Sequence, residues 1–396
     1  MNIAFFLFTY PGIGGTETVS NLLAEWFTKK GGGNCCVIAW KRGEHKTANS
    51  LTDIFYLPDG NNIDSDANVE AILEYVTKKQ IRVIINQGPF WKGTKRLHTA
   101  GCRLISVLHY APSFRIDNNR NAIDRLYNNS EGKNLSYRIK TLVRHSFKDF
   151  FSKRDFYRID APFFREVLEN SDAFVLLCPS YVTEWKNLLK LRDDRLLLSI
   201  HNPIIVPKVN GTIKTEKMKT LLFVGRLTAW DKRVDRLLYL WSELESKYKD
   251  WKLCVVGDGE ERKNLMTLAK ELQLERVEFV GYKDPRPYYR NADVLCMTSS
   301  SEGYPMVVLE AAIYGCPTIA YGVSSGIKEM IEDGGTGFVI KPFQKEEYLT
   351  KLRWLMDNQS EREAMGKNAY VRLSKYDIET IGKQWIALFN KIRVEQ

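Results

Sequence analysis

Glu302 and Glu310 are the first residues to ask about, because seven residues separate them in Thr298-Ser-Ser-Ser-Glu302-Gly303-Tyr304-Pro305-Met306-Val307-Val308-Leu309-Glu310-Ala311-Ala312-Ile313-Tyr314-Gly315. A strand ending in three serines, a glycine that frees the backbone and a proline suited to a first helical turn predict strand, loop and helix. The helix N–H groups would then be open to an anion. Glu302 falls in the loop. Glu310 falls in a helix that is apolar nearly all round, where a carboxylate needs donors, and sugar or ribose hydroxyls would serve. Alone, the pair is better read as a solvated loop acid and a helix acid bound to an internal Arg or Lys.

Three further places carry possible chemistry. Gly12-Ile13-Gly14-Gly15-Thr16-Glu17 joins a first strand to a first helix and could bring backbone N–H groups to a phosphate, but Glu17 occupies the last glycine position of G-x-G-x-x-G. A dinucleotide cofactor such as NAD is therefore disfavoured. His109 closes the apolar run Leu104-Ile-Ser-Val-Leu, a position where a lone histidine is commonly structural. Asp64-Ser65-Asp66 has the form of a metal motif but stands before a helical run, where Ser or Asp is an ordinary N-cap.

These residues need a scaffold, and the hydrophobic pattern supplies one. Strands are predicted at Thr220 to Val224, Lys252 to Val256, Val277 to Val280, Asp293 to Thr298, Pro317 to Tyr321 and Gly337 to Ile340, alternating with helices such as Arg233 to Lys247 and Arg262 to Leu272. Such β-α alternation implies a parallel sheet covered on both faces. The first half repeats the theme with strands Ile3 to Thr9, Cys36 to Trp40, Arg82 to Asn86, Leu104 to His109 and Ala173 to Cys178, and with helix Thr16 to Lys29. The expected fold class is α/β, with two Rossmann-like, doubly wound lobes facing across a cleft: residues 1–200, a linker at 201–219, a second lobe at 220–375 and a terminal helix at 376–396. That helix carries Ile378, Ile381, Trp385, Leu388, Phe389 and Ile392 on one face and either stays with the second lobe or crosses back to the first.

Composition bounds the rest. A chain of 396 residues, 44% hydrophobic and 27% charged, can bury large cores and excludes disorder, collagen and coiled coil. The net charge of +10 fits a phosphorylated ligand, an anionic membrane or nucleic acid without choosing among them. Seven cysteines with no C-x-x-C give neither a disulfide framework nor a zinc site, and point to a reducing compartment. The apolar start reads as a strand rather than a leader. From Tyr137 to Arg165, cations alternate with aromatic rings. That pattern suits an anionic lipid surface or a groove for a diphosphate-linked lipid, and equally well helices whose rings are core and whose cations face water. No nucleic-acid motif accompanies the charge.

The Glu, seven residues, Glu spacing across strand, loop and helix resembles the signature of family 4 retaining glycosyltransferases, which have the GT-B fold. Leu222-Phe223-Val224-Gly225-Arg226-Leu227 followed by Asp231-Lys232-Arg233-Val234-Asp235 is similar to that family's strand-loop-helix, in which an Arg and a Lys grip the donor diphosphate; the family usually has Gly where Arg233 stands, which predicts a changed helix entry. Val255-Val256-Gly257-Asp258-Gly259 and Phe279-Val280-Gly281-Tyr282-Lys283 resemble its walls around the nucleotide. The likeness continues through Gly337-Phe338 and covers roughly residues 220–345.

The resemblance implies a transferase moving a hexose or N-acetylhexosamine from a nucleotide diphosphate sugar, UDP-sugar favoured, to a glycan or polyprenyl-diphosphate-linked saccharide in cell-surface polysaccharide biosynthesis. The expected catalytic residues are Glu302, Arg226, Lys232 and His109. Donor-binding positions are Gly14, Gly15, Gly225, Gly257, Tyr282, Lys283, Gly303, Tyr304, Pro305, Met306, Val307 and Glu310. No metal and no resident cofactor are expected. The expected location is the cytoplasm, with the inner face of the plasma membrane as an option. A catalytically silent sugar-nucleotide binder and a UDP-sugar epimerase of the same fold are the alternatives. Asn202-Pro203 resembles a variant found in relatives that use UDP-sugars, and Tyr304-Pro305, in place of the family's frequent Phe-Gly, leaves the shape of the sugar pocket open.

Overall fold

The computed structural model describes residues 1–12, 14–43, 51–88, 93, 95–128, 135–193, 195–207 and 217–393. The chain divides into two compact units, Met1–His201 with Gly382–Gln396, and Asn202–Ile381.

In the first unit, β1 (Asn2–Tyr10), β2 (Asn34–Arg42), β3 (Ile54–Tyr56), β4 (Ile81–Asn86), β5 (Arg103–Leu108), β6 (Ala173–Leu176) and β7 (Leu197–Ser199) form one sheet. Its order is β3-β2-β1-β4-β5-β6-β7, and every neighbouring pair is parallel. β1 shows why the centre of such a sheet reads as a continuous apolar run: Ile3 to Leu7 are all buried, with helices over both faces. The sequence pattern missed β3 and β7. Both are three-residue edge strands, too short to show a period.

In the second unit, β8 (Thr220–Val224), β9 (Lys252–Val256), β10 (Val277–Gly281), β11 (Val294–Met297), β12 (Thr318–Tyr321) and β13 (Gly337–Ile340) lie in the order β10-β9-β8-β11-β12-β13, again all parallel. Leu221, Phe223, Leu237, Trp241, Val255, Cys296, Ile319 and Tyr348 belong to its core. The helix expected to run from Arg233 to Lys247 is shorter, Val234–Ser242.

Part of the predicted linker is built into this unit. Ile204 bridges Asp377, donating its N–H to the Tyr376 carbonyl at 2.9 Å and accepting from the Ile378 N–H at 2.9 Å. Residues 208–216, including Asn210-Gly211-Thr212, lie outside the described residues. The last helix, Ile378–Lys391, begins in the second unit, and from Gly382 onward it belongs to the first. There Phe389 packs on Phe27 with ring centroids 5.5 Å apart.

Ser65 caps the helix Asp66–Lys79, its hydroxyl accepting from the Asn68 N–H. All seven cysteines are free thiols, and burial pushes those of Cys35 and Cys102 up to about 12. Among the described residues no helix is long and apolar enough to cross a membrane.

Candidate active site

β8 and β11 are neighbours in the second sheet, but the chain leaves β8 towards β9 on one side and β11 towards β12 on the other. Loops diverging from adjacent strands leave a crevice at their carboxyl ends, the usual ligand position in an open α/β sheet. The two loops here are residues 225–233 and 298–305. Polar contacts stitch them together. Asp231, almost fully buried, accepts the Lys232 N–H at 2.8 Å and the Thr228 hydroxyl through its carboxylate, while its carbonyl accepts the Ser300 N–H at 2.6 Å. The Thr298 hydroxyl donates to the Arg233 carbonyl at 2.9 Å, and Arg236 donates back to the Thr298 carbonyl at 3.3 Å.

Arg233 stands just before the helix Val234–Ser242. Its φ and ψ are 49° and 50°, the left-handed region that glycine enters without cost. A non-glycine residue occupies that region here, and a two-toothed ion pair from Arg233 to Asp235 (2.9 and 2.7 Å) holds the side chain. The residue before the helix is thus a left-handed, strained cap. Lys232 precedes the helix instead of opening it.

The charged centre is compact. Lys232 Nζ donates to Glu302 Oε1 at 2.7 Å, and the Ser299 hydroxyl donates to the same oxygen at 2.6 Å. Glu302 is therefore a buried, doubly bonded carboxylate rather than a solvated loop acid. An ammonium carries three N–H donors, so Lys232 retains capacity for a second anion. Arg226, 74% exposed, has Asp231 as its nearest carboxylate at 3.9 Å, and its fork is open to solvent. The arrangement offers two cations beside one oriented carboxylate, suited to holding a diphosphate next to a group bearing hydroxyls.

Glu310 sits on the helix Met306–Ile313, for which Pro305 is the N-cap. Among the described residues it meets no Arg or Lys. Its partner is the Tyr289 hydroxyl, donating to Oε2 at 2.8 Å from a fully buried ring. Burial pushes the Glu310 carboxyl above its ordinary value, and the Tyr289 bond opposes that shift. Gly303 precedes Tyr304, which is buried with its ring 6.3 Å from that of Tyr376, so this tyrosine packs into the second unit's interior; Met306 and Val307 form the half-buried first turn.

Gly225 and Gly257 end β8 and β9 in backbone contact. A Cβ on Gly257, whose φ is +143°, would stand 1.8 Å from the Gly225 carbonyl oxygen. Tyr282 and Lys283, just past β10, are exposed. Arg226, Lys232, Glu302 and Gly225 thus belong to one crevice, Glu310 and residues 303–307 continue its second loop, and Gly257, Tyr282 and Lys283 line the neighbouring strand ends.

The remaining predicted residues belong to the first unit. Gly14 caps the helix Gly15–Lys29, and a Cβ on it would meet the Glu17 carboxylate at 2.4 Å, so that acid folds over the glycine loop; Ile13 lies outside the described residues. His109 follows β5, two strands from β1, and its Nε2 is hydrogen-bonded to Gln87 Oε1. Burial pushes the imidazole down to about 4, which leaves it neutral at pH 7. Nε2 donates to the amide oxygen and Nδ1 is the acceptor. Among the described residues, Gln87 Nε2 is buried without a partner.

Sequence reasoning missed Asp231, Ser299, Tyr289 and Gln87 as supporting groups. An acid beside the cation and serines before Glu302 were available signals for the first two. Tyr289 and Gln87 lie 21 and 22 residues from their partners and left none. Among the described residues no group of three or more His, Cys, Asp or Glu is placed to hold a metal ion.

Two all-parallel, doubly wound units, one with a charged crevice at its switch point, define the GT-B fold. Over its full length the chain resembles Anabaena Alr3699/HepE in complex with UDP, with a TM-score of 0.73, 16% identity and coverage of 99% of this chain and 100% of that one. Residues 208–372 match the family Glycosyl transferases group 1. An uncharacterized glycosyltransferase of Haemophilus influenzae is 35% identical over 216 residues, 54% of this chain and 60% of that protein. The amylovoran biosynthesis glycosyltransferase AmsD of Erwinia amylovora is 36% identical over 176 residues, 44% of this chain and 49% of that protein. The chain spans about half to three fifths of the length of these curated relatives.

Proposed function

We propose that the protein is a retaining, metal-independent glycosyltransferase that moves a hexose or N-acetylhexosamine from a UDP-sugar to a glycan or lipid-linked saccharide in cell-surface polysaccharide biosynthesis. The observation that carries this reading is the Lys232–Glu302 pair with Arg226 beside it at the β8/β11 switch point. The group 1 match over residues 208–372, the UDP bound by Anabaena Alr3699/HepE and the biosynthetic role of AmsD support it.

In this reading the acceptor hydroxyl attacks the anomeric carbon from the face the diphosphate leaves. The carbon–oxygen bond to phosphate breaks as the glycosidic bond forms, and a phosphate oxygen takes the hydroxyl proton. Lys232 and Arg226 meet the charge that grows on the diphosphate. Glu302, fixed by Lys232 and Ser299, orients sugar hydroxyls and favours positive charge at the anomeric centre. Glu310 takes the ribose hydroxyls, and neutral His109 helps place the sugar without exchanging a proton near pH 7.

A thermal-shift series with UDP, GDP, ADP, CMP and NAD tests the donor, because a ligand of the native state raises the melting temperature. A selective UDP shift lost in Glu310→Ala is expected. A shift with NAD alone would sink the reading, whereas a UDP shift without turnover would favour the silent binder. Turnover unchanged by EDTA is expected for metal independence. Arg226→Ala lowers kcat by more than it raises KM, since its partner's charge develops in the transition state; equal losses in both would remove that role.

A further inference from the structure

The helix Leu135–Ser146 is amphipathic in the wrong sense for a water-soluble surface. Leu135, Ile139, Leu142 and Val143 recur at the i, i+4, i+7, i+8 spacing that normally turns a stripe to the core. Here all four are exposed, Leu135 at 72%, and the buried side chain of the helix is the polar Thr141. The stripe does not stop at the helix end. Phe147 accepts and gives i-to-i−4 backbone bonds across the junction, its N–H to Val143 O at 3.2 Å and its carbonyl to the Phe151 N–H at 3.1 Å. Phe147, at φ −114° and ψ 34°, leads into the next helix, Lys148–Asp155, and it and Phe150 are exposed at 62% and 64%.

Beyond Asp155 the pattern is mixed: Phe156 and Phe164 are buried, Phe164 packing on Trp185 at 4.7 Å, while Tyr157 and Ile159 are exposed. Contiguous apolar surface of this kind marks an interaction site.

Charge selects the partner. Arg138, Lys140, Lys153 and Arg158 are exposed and make no ion pair among the described residues. The acids of the stretch are all engaged: Asp149 by Arg120 at 2.8 Å, Asp155 by Arg144 at 2.8 Å and Arg154 at 3.1 Å, and Asp160 by Arg115 at 3.8 Å. An apolar stripe flanked by unopposed cations is complementary to an apolar phase under a layer of negative headgroups. A second copy of the same stripe would bring like charges together.

We infer that the face formed by Leu135, Ile139, Leu142, Val143, Phe147 and Phe150 docks in the plane of an anionic phospholipid bilayer. The inference stands on this face alone and does not rest on the transferase reading.

The test is sedimentation of the full chain with vesicles of phosphatidylcholine, with and without about one part in three phosphatidylglycerol, at low and moderate salt. Binding to the anionic vesicles, weakened by salt, is expected. Phe147→Ser with Phe150→Ser lowers binding at least about tenfold. Lys140→Glu with Lys153→Glu lowers binding to anionic vesicles by about fivefold or more per cation and flattens the salt dependence. Melting curves equal to the parent show that the variants are folded. The inference is overturned if vesicles do not bind, if the Phe147 and Phe150 changes leave binding intact, or if the same changes abolish a concentration-dependent dimer in ultracentrifugation while no vesicle binding is seen.

Discussion

The two units run their strands in the same spatial order, β3-β2-β1-β4-β5-β6 beside β10-β9-β8-β11-β12-β13, and differ in what hangs from the strand ends. After its fifth strand in that order, the second unit returns through residues 322–336 with one short helix. The first unit spends residues 109–172 on the equivalent connection and there builds the outward apolar face. At its switch point the second unit gathers Arg226, Asp231, Lys232 and Glu302, whereas the first has Gln87 and a neutral His109 at the ends of β4 and β5. A shared scaffold fixes where strand ends lie, and loop length and charge decide whether they grip an anion or meet a surface.

The largest effect should come from Lys232→Ala, which removes a cation and leaves Glu302 buried with Ser299 alone. Turnover should fall about 10² to 10³-fold, measured with saturating UDP-sugar, and the melting temperature should fall as well. A comparable loss from His109→Gln would erase the contrast between the units.

The glycine contacts sharpen it next. Gly257→Ala drives a Cβ into the Gly225 carbonyl and should cost about 2 to 3 kcal/mol in denaturant unfolding. Gly14→Ala meets only the end of the Glu17 side chain, which can swing away, and should cost less than about 1 kcal/mol.

Acid and base should then separate the units by sign. Glu310 is raised in the folded state, so its contribution is present below the ordinary carboxylate range and is lost as pH rises through its folded value. Glu310→Gln should gain on the parent in melting temperature at pH 8 and lose that gain near pH 4. His109 is depressed from 6.5 to about 4, so its contribution is present above pH 6.5 and lost as pH falls towards 4. His109→Gln should therefore flatten the acid limb. Parallel pH profiles for the two variants would contradict both assignments.

The smallest change is expected from Arg233→Gly. Relief of a left-handed residue is worth about 1 to 2 kcal/mol, but the change loses the Asp235 pair and adds unfolded-state entropy. Unfolding free energies within about 1 kcal/mol of the parent should result, while Arg233→Val, which keeps the strain and drops the pair, should be worse.

The second unit was legible because its strands are short apolar runs, β8, β9 and β12 followed by glycine and β13 opened by one, so β8, β9 and β13 fall at their predicted bounds. The candidate site was legible where adjacent residues carry it, as in Arg226 to Lys232 and Glu302 to Glu310. It was not legible where a partner arrives from a distant element, as Tyr289 does for Glu310. Backbone conformation was hidden too: nothing in the residue type of Arg233 announces its left-handed turn. Periodicity gave the amphipathic spacing of Leu135 to Val143 but not its direction, because a repeat of 3.6 residues is the same whether the stripe faces a core or a bilayer.

The helix Ile378–Lys391 carries one more consequence. The first unit is discontinuous in the chain, and the ring of Phe389 that lies on Phe27 is translated only after all of the second unit. Domains commonly fold in the order of their synthesis, but this chain reverses the order of completion. The later-made unit, contiguous from Asn202 to Ile381, has all its residues while the earlier-made one still waits with the Phe27 side of its helix uncovered. The ribosome thus completes the second unit before it delivers the closing patch of its older neighbour.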